Sequence, residues 1–396
     1  MKSKKKALKN KSILLGVTGG VAAYKAIDLI RRLREESAAV TVIMTGAAKH
    51  FVTPLSLETA SGNPVHSDLF GNPMAHITFP SLADVMVIAP ATANIIGKFA
   101  NGIADDLLST CLLSYNGKVV IAPSMNWRMY ENTVVQENLG KLLSRGIIQS
   151  GPERGTLACG EEGVGRMSDV PDIIGAIKSA LTKKDLSGEK ILVTAGPTRE
   201  YIDPVRFLSN RSSGKMGYAI AGAALRRGAG VTLISGPSHL LPPKGAFFVP
   251  VETAEDMLKA VDKYSPSFTT LIMTAAVSDF RPEEISTGKI EKSDGLLLKL
   301  IRTPDIISAA RKKKPGLFII GFAAETGSGF EKAKKKLKDK NMDMIIFNDV
   351  TEPGSGFDVD TNKVIIIEKG QETSLPLMSK AVVADAILDR LIKIKT

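Results

Sequence analysis

The sequence predicts an α/β chain of two domains, each a largely parallel sheet flanked by helices. Strand-like and helix-like segments alternate almost throughout. At 396 residues the chain is longer than one ordinary domain. The polar stretch 182–189 (TKKDLSGE) interrupts the pattern, which then restarts. Domains of 1–185 and 189–396 follow.

The elements can be taken in order. The apolar run 12–17 reads as a buried strand, and 21–35 as a helix with Ile27, Ile30 and Leu33 at helical spacing. Strands at 40–44, 85–89 and 119–122 each enter a loop. Segments 105–115 and 133–143 read as helices. The stretch 151–167 holds five glycines around Cys159 and shows no periodicity, as expected of a lid or a disordered loop. A helix at 169–181 closes the half. Strands then recur at 190–194, 231–235, 271–274, 317–322 and 344–347, with helices at 216–227 and 381–394. Segments 364–368 and 374–377 are expected to pair at a sheet edge. No internal repeat is visible.

Composition narrows the class. Hydrophobic residues at 44% and charged residues at 23% suit two packed cores. The net charge of +11 is local: an N-terminal group (Lys2, Lys4, Lys5, Lys6, Lys9, Lys11), the run 311–314, and lysines 332, 334, 335, 336, 338 and 340. A basic balance favours anionic partners, although solvated helix faces account for most of these lysines. Aromatic residues are 5% and few lie among the lysines, which argues against nucleic acid. Cys111 and Cys159 form no C-x-x-C pair, so structural zinc and disulfides are not expected and a reduced cytoplasm is. The apolar part of 13–23 is broken by Gly16, Thr18, Gly19 and Gly20, so it reads as strand and turn rather than a signal peptide. No apolar run is long enough to span a bilayer.

The first chemical signal is Gly16-Val17-Thr18-Gly19-Gly20 at a strand-to-helix junction, where backbone N–H groups and a helix N-terminus favour phosphate. Thr18 breaks the dinucleotide fingerprint, so a mononucleotide fits better than NAD, with a plain tight turn as the alternative. Ala89, Pro90, Thr92 and Asn94 follow another strand and suit a flat ring held by few polar contacts. Asp105 and Asp106 are either an acid/base or metal pair or, the favoured reading, a helix cap. Asn126 lies just past a strand's carboxyl end, where open α/β sheets bind ligands. His76 falls in the loop 71–76. Cys111 reads as a small core hydrophobe, and Cys159, flanked by glycine, as a proton donor or nucleophile.

In order, GVTGGVAAYKA, AHI, IAPATAN, GIADDLLST, PSMNWRMY and ACGEEGVGRM resemble the phosphopantothenoylcysteine decarboxylase family of FMN proteins across the whole first half. The resemblance implies a flavodoxin-like domain binding FMN through Gly16, Thr18, Gly19, Gly20, Thr45, Ala89, Pro90, Thr92 and Asn94. It makes His76 the catalytic histidine, Asn126 the holder of the substrate carboxylate, and Cys159 the proton donor in the final reduction. Leu82 and Tyr130 stand where this family commonly has tryptophan.

In the second half, Ser212-Ser213-Gly214 before a helix makes a phosphate nest with Lys215 nearby. It is not a P-loop, since Met216 replaces the Ser/Thr that would hold Mg²⁺. Asp279 ends a strand and is a candidate for Mg²⁺ or a ribose hydroxyl, or a turn residue. Lys289 and Lys292 follow as cations for a developing charge. SNRSSGKMG and the segments around it, over most of 190–380, resemble phosphopantothenate–cysteine ligase, and the whole chain resembles the fused bacterial bifunctional type. That resemblance implies a second, Rossmann-like nucleotide-binding domain that uses CTP and Mg²⁺ to join cysteine to 4′-phosphopantothenate. Asn210 matches the residue contacting the acyl-cytidylate and Lys289 the catalytic lysine. Met273, Thr274, Ala275, Asp279, Pro304, Asp305, Ile306, Ile307, Phe322, Lys336 and Lys340 match nucleotide contacts. Glu291 stands where a lysine is common. A cytoplasmic homo-oligomer is implied, with trimeric decarboxylase and dimeric ligase units, small-molecule substrates, and neither nucleic acid nor membrane as partner.

Overall fold

The computed structural model describes residues 8–156, 160–292, 295–325, 329–356 and 358–395. Cys159 lies outside them. The described chain divides into two compact units, one ending at Thr182 and one beginning at Lys183.

The first unit is built on six parallel strands in the spatial order Val65–His66, Ala39–Met44, Ser12–Val17, Val85–Ala91, Lys118–Pro123, Ile148–Gln149. Without the edge strand Val65–His66 this is the flavodoxin-like order 2-1-3-4-5. The unbroken apolar run of the first strand has a physical reason. Successive side chains point to opposite faces, and both faces are covered. Leu15 packs under the Lys25–Glu35 and Val170–Leu181 helices, and Leu14 with Leu108 and Leu139 on the other side. The strand order reverses between Ser12–Val17 and Val85–Ala91, so a crevice opens at their carboxyl ends.

The second unit carries an eight-stranded sheet in the order Phe247–Pro250, Gly230–Ser235, Lys190–Ala195, Thr270–Met273, Phe318–Glu325, Met344–Asp349, Val364–Glu368, Gln371–Ser374. Its first six strands are parallel and the last two antiparallel. The expected edge pair is present, but its second arm is Gln371–Ser374 rather than 374–377. Gly370, at a φ of 81°, turns the chain immediately after Glu368. Here the order reverses between Lys190–Ala195 and Thr270–Met273.

Three sequence expectations need correcting. His76 is not in a loop but is the second residue of the helix Ala75–Leu82, which sequence reasoning passed over because Pro80 lies inside it. The stretch 151–167 is not shapeless: Glu153–Thr156 and Glu162–Arg166 pair as an antiparallel ribbon. The run 311–314 is not simply a solvated face. The Arg311 guanidinium donates to the carbonyls of Asn341, Pro315 and Leu317 and pairs with Asp343 at 2.6 Å. No helix among the described residues is long and apolar enough to cross a membrane.

Candidate functional site

The crevice of the first unit holds a cavity of about 910 Å³, within the range of roughly 300–1,000 Å³ usual for small-molecule sites. Thr18, Gly19, Gly20, Thr45, Thr92, Asn94 and Asn126 all line it. Thr18 is 2% exposed, and its hydroxyl donates to the Pro90 carbonyl at 2.7 Å while accepting from the Thr92 amide at 3.3 Å. It therefore ties together the two loops that form the crevice. A side chain at Gly19 would meet Ala47 Cβ at 2.5 Å, so that glycine is needed for packing. Gly20 differs: its backbone is extended, and an added Cβ would find only Thr92 Cγ2, at 3.5 Å. What glycine preserves there is cavity space. The Ala93–Asn101 helix begins at the same wall, its first N–H groups favouring an anion. Gly16, Ala89 and Pro90 support these walls from behind.

Asp106 settles as the cap of the Leu107–Ser114 helix, accepting from the Ser109 amide at 2.8 Å. Lys98, on the cavity wall, pairs with Asp105 at 2.7 Å and Asp106 at 3.1 Å. Burial works against the Lys98 charge, but hydrogen bonds to the two aspartates outweigh it and hold the ammonium pKa above its usual value. The Lys98 hydrogen bond holds the Asp105 carboxyl below its usual value.

Asn126 caps the short helix Trp127–Tyr130, its side-chain oxygen accepting from the Arg128 amide at 2.9 Å. The ribbon of 153–166 is fastened beside it: Trp127 Nε1 donates to Glu161 at 2.8 Å, and Arg128 pairs with the same carboxylate at 2.8 Å. Thr156, Gly165 and Arg166 from the ribbon's arms complete the cavity wall. His76 does not line it. Its Nδ1 is buried with no hydrogen-bond partner among the described residues, and its carbonyl accepts from the Ser114 hydroxyl. Burial pushes the Cys111 thiol up to about 12, which leaves it the inert core residue expected.

The second unit places its candidates around the carboxyl ends of Lys190–Ala195, Thr270–Met273 and Phe318–Glu325. Gly214, at a φ of 77°, starts the Lys215–Arg226 helix in a left-handed conformation. A Cβ at Gly217 would meet Thr274 Oγ1 at 2.4 Å and Ala195 Cβ at 2.6 Å, so the helix start lies directly against the strand ends. Ser212, Ser213 and Gly214 border a small cavity of about 70 Å³ together with Thr274 and Phe322. Asn210 reaches across with its amide N–H groups to the Val277 carbonyl at 3.0 Å and the Ala276 carbonyl at 3.4 Å. Met273, Thr274 and Ala275 follow from the end of their strand, and the Thr274 hydroxyl donates to the Thr194 carbonyl at 2.5 Å.

Asp305 caps the Ile306–Lys313 helix and pairs with Lys340 at 3.1 Å, and Lys336 pairs with Glu325 at 2.6 Å. Burial opposes the Asp305 charge, but the Ser308 amide and the Lys340 ammonium more than offset it, holding its pKa low. Pro304 and Ile307 flank this cap, with Ile306 buried. Asp279 is exposed. Among the described residues no three His, Cys, Asp or Glu side chains gather as a metal cage; a Mg²⁺ carried mainly by nucleotide phosphates needs only one or two carboxylates.

Lys289 is exposed on the long segment between Phe280–Pro282 and Leu300–Arg302. That segment is pinned by Asp203, which is fully buried. Asp203 accepts from the amides of Val205, Arg206 and Ile290 at 2.8, 2.7 and 3.2 Å, and from the Arg206 guanidinium at 3.0 Å. Burial disfavours its charge, yet these donors keep its pKa below normal.

The family model described as flavoprotein matches residues 1–182, and that described as DNA/pantothenate metabolism flavoprotein C-terminal domain matches residues 186–394. The coenzyme A biosynthesis bifunctional protein of Vibrio cholerae is 44% identical over 392 residues, covering 96% of this chain and 98% of that one. The chain belongs to the family of coenzyme A biosynthesis bifunctional proteins. The Bacillus subtilis member of this family is 45% identical over 394 residues, 97% of each chain. A crystal structure of the C-terminal domain of a coenzyme A biosynthesis bifunctional protein is 43% identical, covering 54% of this chain and 98% of that one, with a TM-score of 0.47.

In this member of the bifunctional family, sequence reasoning missed Lys25, Tyr24 and Arg166 as cavity residues. Lys25 and Arg166 share Asp169, at 3.4 and 3.8 Å. The signal was faint, since only the pairing of the ribbon brings Arg166 to the mouth. Sequence reasoning also missed Asp203 as the anchor of the Lys289 segment, because its partner Ile290 lies 87 residues away.

Proposed function

We propose that the chain catalyses two consecutive steps of coenzyme A synthesis. Residues 189–396 join cysteine to 4′-phosphopantothenate at the expense of CTP, and residues 1–185 decarboxylate the product to 4′-phosphopantetheine. The observation that carries this is the coexistence, on one chain similar to bifunctional relatives along nearly its whole length, of two switch-point crevices, one enclosing a cofactor-sized cavity that Gly20 keeps clear.

For the ligation, the substrate carboxylate attacks the α-phosphorus of CTP and pyrophosphate leaves. The cysteine amine then attacks the acyl carbon, loses a proton, and CMP departs. Asn210 contacts the acyl-cytidylate and Lys289 meets the charge that develops at phosphorus. Met273, Thr274, Ala275, Asp279, Pro304, Asp305, Ile306, Ile307, Phe322, Lys336 and Lys340 would hold the nucleotide, and Asp279 would bind the Mg²⁺ that neutralises its phosphates.

For the decarboxylation, Thr18, Gly19, Gly20, Thr45, Thr92 and Asn94 would hold FMN, backed by Gly16, Ala89 and Pro90. Bound FMN supplies the two-electron oxidation and re-reduction of the substrate's thiol end. Asn126 holds the substrate carboxylate through a neutral amide; when it leaves as neutral carbon dioxide, the bonding electron pair stays on the substrate and is accepted by its oxidised thiol end as an enethiolate. Cys159 donates a proton in the last reduction. His76, the catalytic histidine, is absent from its own chain's cavity, which supports a homo-oligomer in which assembly completes the site. Trimeric decarboxylase and dimeric ligase units in the cytoplasm fit this reading.

The test is mass spectrometry of the purified protein with 4′-phosphopantothenate, cysteine, CTP and Mg²⁺. Formation of 4′-phosphopantetheine with CMP and pyrophosphate is expected. Accumulation of 4′-phosphopantothenoylcysteine would refute the decarboxylase half alone, and absence of any product would overturn the ligase half.

A further inference from the structure

We propose that Lys380, from the C-terminal helix, is the cation that receives the β- and γ-phosphates of the nucleotide in the small cavity of the second unit. This rests on the CTP-dependent ligation proposed above and assigns a residue to its leaving group. Lys380 opens the helix Lys380–Lys395, 6% exposed, and borders the same cavity as Ser212, Ser213 and Gly214. The ammonium donates to the Gly356 carbonyl at 3.0 Å.

The surroundings are those of an anion site. The Lys215–Arg226 helix, twelve residues long, points its N-terminus there. Asn348 and Asn362 also line the cavity. The Ser355 hydroxyl lies 2.6 Å from Asn348 Oδ1 and 2.9 Å from Asn362 Oδ1 and donates its one proton to either, and Asn362 Oδ1 also accepts from the Gly356 amide at 3.4 Å, so the amide groups of the two asparagines serve as donors toward an anion. Among the described residues that line the cavity, none is Asp or Glu. At about 70 Å³ it suits the terminal phosphates rather than a whole nucleotide.

Sequence proximity had pointed to Lys215 as the cation of this nest, but its ammonium is occupied by Asp360 at 2.8 Å and the Asp358 carbonyl at 2.9 Å. The charged groups acting on Lys380 are Lys215, on the neighbouring helix, and Asp358 and Asp360 on the preceding loop. Burial first, and then Lys215, push the Lys380 amine down to about 8, with the two aspartates opposing. The two aspartates offset the burial of this ammonium only in part, so an anion in the cavity beside it adds to its stabilisation. The leaving pyrophosphate is such an anion, and a charge-assisted contact to it stabilises the departing group.

The experiment is calorimetric titration of inorganic pyrophosphate with Mg²⁺ into the full chain, alongside initial-rate kinetics, for wild type, Lys380→Met and Lys380→Arg. Lys380→Met is expected to weaken pyrophosphate binding and raise the CTP KM by about 10- to 100-fold, the worth of one charge-assisted hydrogen bond. The KM for 4′-phosphopantothenate should stay within about twofold. Lys380→Arg should keep most of the affinity and remove a pH dependence: relative to it, wild type should lose up to about tenfold per pH unit above 8. The ligand's own ionisation is common to both proteins and cancels. Unchanged pyrophosphate affinity in Lys380→Met, or a loss confined to 4′-phosphopantothenate, would overturn the assignment. If Lys380→Met does not fold, the wild-type and Arg comparison decides, and parallel pH profiles would overturn it. A wild type that binds pyrophosphate through Lys380 yet forms no amide would refute the ligase reading and leave the site standing.

Discussion

Replacing Thr18 by valine tests whether the first crevice is held together by one hydroxyl. The swap conserves volume but not chemistry. It removes the 2.7 Å donation to the Pro90 carbonyl and the acceptor for the Thr92 amide, in a residue 2% exposed. A buried polar group left without its partner costs about 1–3 kcal/mol, and the longer 3.3 Å contact adds little, so about 2 kcal/mol is expected. In a unit ending at residue 182, each kcal/mol moves the midpoint by roughly 2–4 °C, giving a fall of about 4–8 °C. Visible flavin absorbance during a thermal ramp isolates this unit from the second. Thr18→Ser keeps the hydroxyl and should recover most of the loss. A valine variant melting within about 1 °C of wild type would refute the argument that Thr18 braces the crevice.

Four further outcomes follow from the same geometry. Gly20→Val should yield a colourless protein that still ligates, because its side chain enters the cavity; full flavin content on purification would count against Gly20 as a cavity-keeping residue. Asn210→Asp should lower ligation by at least about 100-fold with flavin content unchanged, and a flavin-free variant would mean the domain boundary is misplaced. Cys159→Ser should still ligate and decarboxylate while blocking the final reduction, so equal loss of all steps would refute its role as proton donor. Lys380 makes stability rise with pH between about 8 and 10.5, because there the unfolded amine, with its ordinary pKa of 10.5, binds a proton that the folded one, near 8, has released. Denaturant titrations across that window should show a positive slope in wild type that Lys380→Met reduces; equal slopes would refute the burial of its charge.

Much of the fold was legible because parallel strands covered on both faces leave unbroken apolar runs such as 12–17, and covering helices repeat at 3.6 residues. The loops that form the first cavity were legible as candidates, since glycine and threonine cluster at a strand's carboxyl end, although a plain tight turn would read the same way. What escaped was set by tertiary context. Pro80 hid the helix bearing His76, and the ribbon at 153–166 has no apolar alternation because little of it is buried. The nearest lysine in sequence, Lys215, stood in for Lys380, which comes from 165 positions later; both line the cavity, and no local pattern records that the second is brought there or that the first is paired with Asp360.

The buried Asp203 carries a consequence for how the second unit is assembled. Residues 283–299 contain no helix or strand among those described, so local propensity gives this stretch little order of its own. Part of its order is borrowed from a carboxylate already satisfied by its own turn at Val205 and Arg206, with one more lone pair for the Ile290 amide. During synthesis that turn emerges first, so the receptor for the Lys289 segment exists before the segment does. The entropy of closing a loop spanning 87 residues is then met by docking onto a finished surface rather than by a search between two unformed ones. The buried acid thus acts as a template, timing the arrival of the segment that carries Lys289.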